Sequence, residues 1–268
     1  MLRYSFLADF PLTAWGKAYE NCGQFFTVGC LNVEEHKGMN LDGVNMEGKV
    51  YLERHKTSCH RPLCPTCWSD WANREVARAM PRLNAFVLKG RKLQPIHVIV
   101  SVPSEDYGLS LQEMRQKVYR ALKTVHCLGG MMIYHPKRKD FHGNWYFSAH
   151  FHIIGYGWLT NIRNNYIASG YVVKNIGIRK TVQGTIYYQL SHCGISSKHQ
   201  IITWFGVLSY GKLHVVYEEK EVSECPLCHE KLRRLLWIGV GNCPLPDIEG
   251  VAFFDNPSNW LRITRKYD

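Results

Sequence analysis

The sequence predicts an α+β protein: a central antiparallel sheet with flanking helices, plus small zinc-binding modules. Three observations predict it. Apolar and polar residues alternate with period two in several stretches between residues 96 and 178. Some of those stretches are joined by short basic turns, as antiparallel neighbours are, while others are separated by segments of helical pattern. The cysteines are grouped at metal-knuckle spacings near both ends of the chain.

Residues 1–90 read as an N-terminal zinc-binding region. Glycine-containing stretches around 23–30 and 38–48 suggest short strands and turns. A helix is expected over residues 69–88, with Trp71, Val76, Met80 and Leu83 as its apolar positions and Pro81 placed to kink or split it. Residues 91–214 form the central domain. Ile96, Val98, Val100 and Val102 share one face of a strand. Ser110, with Glu113 three residues on, signals a capping box and a helix running to about Val125. A strand at 131–135, a basic turn at 137–143 and a strand at 145–154 follow. In that last strand Trp145, Phe147, Ala149, Phe151 and Ile153 fall on one face, and Tyr146, Ser148, His150 and His152 on the other. The histidine face is therefore expected to be open. After a polar segment come a strand at 171–178 and a helix at 181–193. Residues 215–268 read as a C-terminal zinc-knuckle region, a hairpin ending in a metal knuckle.

With 46% hydrophobic residues in 268, the chain can bury a sizeable core. Its net charge of +11 fits a polyanionic partner, either nucleic acid or an anionic membrane. No apolar run is long enough to span a bilayer, and the first residues break at Asp9 and Pro11 without a signal-peptide pattern. A soluble, cytoplasmic protein is expected. In that compartment 10 cysteines in clusters favour metal over disulfides.

Cys59, Cys64 and Cys67 are three zinc ligands at C-x₄-C-x₂-C spacing, with Cys30, Cys22, His55 or His60 as the fourth. Cys225 and Cys228 form a second knuckle, completed by Cys243, His229 or His214. Basic and aromatic residues surround both, as phosphate contacts and base stacking require.

His150 and His152 stand about 7 Å apart along their strand and can reach one ion while leaving positions open for phosphate oxygens. Downstream, Tyr187 and Tyr188 are adjacent on a helix and diverge by about 100°, so only one can face that ion. Tyr188 lines up with Gly184 and His192, whereas Tyr187 lies beside the apolar stripe of Val182, Ile186, Leu190 and Cys193.

His150-Phe151-His152 followed by a tyrosine helix resembles the HUH endonuclease superfamily over roughly residues 95–210. The order of the motifs is similar to that of rolling-circle replication initiators and single-strand transposases, and the flanking cysteine clusters resemble replication (Rep) proteins of archaeal plasmids and viruses. The resemblance implies an HUH-type central sheet, and metal-dependent nicking and joining of a single-stranded DNA origin or hairpin. It also implies a 5′-phosphotyrosine on Tyr188, or else Tyr187, and Mn²⁺ or Mg²⁺ at His150 and His152 with His192 as a third ligand. The chain departs from the family in having no lysine one turn after the tyrosine, where Leu190, Ser191 and His192 stand. It carries no G-x-x-x-x-G-K loop, so a helicase, like the polymerase, would come from the host or replicon. Two other readings stay open: a single-strand transposase, and a non-catalytic zinc-finger binder of nucleic acid.

Overall fold

The computed structural model describes residues 10–38, 40–88, 90–217, 223–239, 250–255 and 260–263. In chain order the strands are β1 (Phe25–Cys30), β2 (Asn40–Leu41), β3 (Val44–Asn45), β4 (Lys49–Lys56), β5 (Val87–Leu88), β6 (Arg91–Lys92), β7 (Ile96–Ser101), β8 (Cys127–Lys139), β9 (Trp145–Gly157), β10 (Val172–Ile178), β11 (Ile202–Gly206), β12 (Arg233–Gly239), β13 (Val251–Asp255) and β14 (Trp260–Ile263). The helices are α1 (Trp68–Asn84), α2 (Leu111–Thr124), α3 (Ile162–Ser169) and α4 (Val182–Leu190). Among the described residues, no helix is long and apolar enough to cross a membrane.

The chain divides into two units, and their limits differ from the 1–90, 91–214 and 215–268 division expected from sequence. The first comprises Met1–Tyr19 and Cys59–Tyr217, the second Glu20–Ser58 and Glu218–Asp268.

The first unit is built on a five-stranded sheet in the order β10-β7-β9-β8-β11, every pair antiparallel. Helices cover both of its faces. On one, Val98, Val100, Met132, Tyr134, Phe151 and Ile153 pack with Leu111, Met114, Val118 and Leu122 of α2. The start of α2 follows from two residues: the Ser110 hydroxyl accepts from the Glu113 amide at 3.3 Å, and the Glu113 carboxylate accepts from the Ser110 amide at 2.9 Å. On the other face, Met131, Ile133, Ile154 and Tyr156 pack with Trp71, Ala79 and Leu83 of α1 and Ile186 and Leu190 of α4. This second face carries His150 and His152, so the histidine face is covered rather than open. α1 is continuous through Pro81, which sits in its last turn.

The segment 145–157 pairs along most of its length with 127–139, so both strands run longer than alternation alone indicated. α3 lies in the segment expected only to be polar; Gly170, at φ +72°, ends it in the left-handed conformation that suits glycine. α4 stops at Leu190, three residues earlier than expected, and the N-terminal segment bonds to carbonyls at and just beyond its end. The Thr13 hydroxyl donates to the Leu190 carbonyl at 2.7 Å and the Thr13 amide to that of Cys193 at 3.2 Å.

The second unit holds a five-stranded antiparallel sheet in the order β13-β4-β1-β12-β14. β1 and β4 come from the earlier segment, and β12, β13 and β14 from the later one. The pairing of Thr27 with Leu235 and Val28 with Arg234 joins segments some 200 residues apart, a relation that local patterns do not encode.

Candidate metal centre and tyrosine

His150 lies across from His135 of β8 and Ser101 of β7, and His152 lies across from Ile133 and Ile99. Cross-strand partners project to the same side of a sheet, so His135 joins the pair that the sequence singled out. The three rings present ligand atoms within 4.8 Å of one another. All three are buried, with His135 at 0% exposure, His150 at 5% and His152 at 8%.

Hydrogen bonds decide which nitrogens are free. His150 Nδ1 donates to the Ser148 carbonyl at 2.7 Å. His152 Nδ1 is bonded to His97 Nε2 at 2.8 Å. Each therefore keeps Nε2 for another partner. Among the described residues, neither nitrogen of His135 has a hydrogen-bond partner despite full burial. An orphaned buried imidazole is costly, and metal ligation removes the cost. Outer bonds of this kind, from a ligand's second nitrogen to a carbonyl or a further side chain, fix the ring and the tautomer that a metal needs.

Burial holds the His150 pKa down at about 3, with the Arg138 guanidinium adding to the effect. Burial likewise depresses His135 and His152 well below the usual histidine range, and each feels its imidazole neighbours. His97 is lowered to about 4 by burial and by Arg179. These rings are thus neutral at pH 7, the form with a lone pair to share.

The unfolded chain binds protons at these histidines below about pH 6.5, whereas the folded chain does not until far lower. Stability is complete above that pH and is lost as pH falls from 6.5 towards the depressed folded values, by about 1.4 kcal/mol per pH unit for each histidine kept neutral. Melting curves of metal-stripped protein should show the first unit's Tm falling between pH 7 and 5, with a shallower fall in His150→Asn. A flat profile over that range would contradict the assignment.

His192 is not one of the three clustered side chains that could hold a metal; His135, which the sequence reading did not single out, is. The His192 ring lies 4.5 Å from that of His135 and 4.8 Å from that of Tyr188, centroid to centroid. It follows the end of α4, its Nδ1 lies 3.1 Å from the Ser191 hydroxyl, and burial lowers its pKa. Tyr188 is 63% exposed. Tyr187 is half-buried, packs on Trp68 at 5.7 Å and belongs to the cluster with Ile186 and Leu190. The two tyrosines divide as helix geometry requires: one into the core, the other outward beside His192.

The cysteines gather in two groups. Within the first unit, Cys59, Cys64 and Cys67 place their sulfurs within 4.8 Å of one another, a set that could hold zinc. Cys30, expected there as the fourth ligand, instead belongs to the second group with His36, Cys225 and Cys228. In that group His36 Nε2 lies 3.6 Å from Cys30 Sγ and 3.4 Å from Cys225 Sγ, and Cys30 Sγ lies 3.6 Å from Cys228 Sγ. His36 Nδ1 donates to the Lys49 carbonyl at 2.8 Å and turns Nε2 inward. Cys243, expected to complete this group, lies outside the described residues. Burial pushes the Cys30 thiol up to about 12, so only a bound cation would make it a thiolate at neutral pH.

This second group joins the two chain segments of its unit, so zinc would act there as a staple. Metal analysis of purified protein should give two zinc ions per chain, and Cys228→Ser should give one together with a lower melting temperature. Full zinc content and unchanged melting in that variant would count against the site.

Sequence reasoning missed His135, His97 and His36. His97 and His135 carried a signal, since each stands in the non-core phase of its strand, but only the strand register brings them to His152 and His150. His36 sits in a single 3-10 turn, Val33–His36, with no knuckle spacing to mark it. The chain matches no protein-family model, no curated protein and no solved structure.

Proposed function

We propose that the first unit is a metal-dependent endonuclease and strand transferase for single-stranded DNA, of the HUH type, with Tyr188 as its nucleophile. In this reading it initiates rolling-circle replication of a plasmid or virus, with helicase and polymerase supplied by the host or replicon. The observation that carries the reading is the meeting of three buried neutral imidazoles, one with both nitrogens orphaned, with an exposed tyrosine one ring away.

His135, His150 and His152 would hold the ion, and an all-nitrogen set suits Mn²⁺ better than Mg²⁺. Once bound, such an ion supplies Lewis acidity and charge neutralisation at a phosphate oxygen. His97 and the Ser148 carbonyl keep the His152 and His150 rings in place, as a preorganised site requires. Arg138, whose charge is felt at His150, adds positive potential for an incoming phosphate. The His192 ring lies 4.8 Å from that of Tyr188, centroid to centroid, and in this reading takes the phenol's proton. The phenolic oxygen then forms a bond to phosphorus, the bond from phosphorus to the 3′-oxygen breaks, and that oxygen leaves as a 3′-hydroxyl after taking up a proton. The 5′-phosphotyrosine conserves the energy of the broken bond, so attack by a free 3′-hydroxyl rejoins the strand.

The test does not depend on knowing the origin. Protein incubated with Mn²⁺ and a labelled single-stranded library of random sequence should yield an SDS-resistant labelled band that a nuclease reduces to a tyrosine-linked nucleotide. A library that never labels the protein, with Mn²⁺ or Mg²⁺, would sink the reading.

A further inference from the structure

We propose that Trp15 and Trp145, with Lys137 and Lys139, form a stacking subsite for an unpaired nucleobase next to the phosphate at the histidine centre. The proposal rests on the nicking reading for its substrate and on separate residues for its geometry. The Trp15 and Trp145 rings meet edge to face, 6.3 Å apart at 81°. Lys137 Nζ stands 4.5 Å over the Trp15 ring and Lys139 Nζ 5.0 Å over that of Trp145. The Trp145 ring lies 6.2 Å from that of His192, which ties the pair to the centre and to Tyr188.

The scaffold holds these residues deliberately. Lys139 faces Trp145 across the paired ends of β8 and β9. Trp15 is fixed by its neighbours: the Ala14 amide donates to the Pro62 carbonyl at 2.9 Å, and the Gly16 amide to that of Leu63 at 2.8 Å. Ala14 itself stands at φ +68°, a left-handed conformation that is unfavourable for a residue with a side chain. So pinned, Trp15 is still 51% exposed, which forgoes much of what burying an indole contributes.

Two indoles interleaved with two ammonium groups suit one class of ligand. Bases of a single strand stack on the rings and its phosphates meet the lysines, whereas a duplex keeps its base faces inside. Asp140, which accepts from the His142 and Asn144 amides at 2.9 and 2.8 Å, is outnumbered by Lys137, Arg138 and Lys139, so the net charge of this turn is positive.

Fluorescence anisotropy at fixed salt can test this with two probes, a dT 16-mer and a 16-mer of abasic deoxyribose phosphates. The protein should bind the dT strand about tenfold more tightly or better. Trp15→Ala and Trp145→Ala, each shown to be folded by a cooperative melting curve, should remove much of that preference while leaving abasic binding and Mn²⁺ uptake unchanged, and Trp145→Phe should restore most of it. Equal affinity for both probes would overturn the subsite, as would alanine variants that weaken both alike, or equal binding of a dT·dA duplex. Base preference without any covalent adduct would leave the subsite standing and sink the nicking reading. An adduct without base preference would do the reverse.

Discussion

Tyr188→Phe should abolish the covalent protein–DNA adduct, while Tyr187→Phe keeps it. The first change removes one oxygen from a side chain that is 63% exposed and touches no packed core, so the fold should be untouched. Loss should be complete within detection, on the order of 10³-fold or more, because a phenyl ring has nothing to bond to phosphorus. Tyr187 packs on Trp68 in the cluster of Ile186 and Leu190, and removing its hydroxyl should cost at most about 1 kcal/mol of stability. Denaturing gels of both variants with labelled single strands decide the matter. An adduct that survives Tyr188→Phe and vanishes in Tyr187→Phe would reverse the assignment.

The second large effect concerns His135. Its ring is wholly buried between His150, His152 and His192, and neither nitrogen has a hydrogen-bond partner among the described residues. If this ring is the third ligand, His135→Ala should weaken Mn²⁺ binding by more than about 100-fold. His97→Leu, which only removes the outer bond to His152, should cost about 10- to 100-fold. Titration followed by the electron paramagnetic resonance of free Mn²⁺ gives both numbers. Removing a buried histidine also leaves a cavity, so melting curves must accompany the titration. Unchanged Mn²⁺ affinity in folded His135→Ala would exclude it from the site.

Four strands of the first sheet (β11 was missed), the capping box of α2 and the split between Tyr187 and Tyr188 were legible because each depends on residues within a few positions of one another. His150 and His152 were legible for the same reason, as near neighbours on one strand. The third imidazole was not, because His135 reaches His150 only through the pairing of β8 with β9, and register is a property of two segments together. The covered histidine face also escaped prediction. α1 and α4 were both expected, but which face they cover depends on how they pack, not on their own periodicity. The exchange of Cys30 between metal groups has the same origin: its partners Cys225 and Cys228 are about 195 residues away, and nothing local distinguishes it from a ligand of Cys59. The role of the N-terminal segment is a further case, since Thr13 and Trp15 meet the end of α4 and the start of β9 only in the folded chain.

The central claim is that the histidine centre and Tyr188 act as one site. The most direct test is peptide mapping by mass spectrometry of the adduct formed with Mn²⁺ on single-stranded DNA. A nucleotide phosphate is expected on the tryptic peptide of residues 181–198, localised to Tyr188 by fragmentation, with none formed in His135→Ala or after metal removal. A modification on any other residue, or an adduct indifferent to metal, would contradict it.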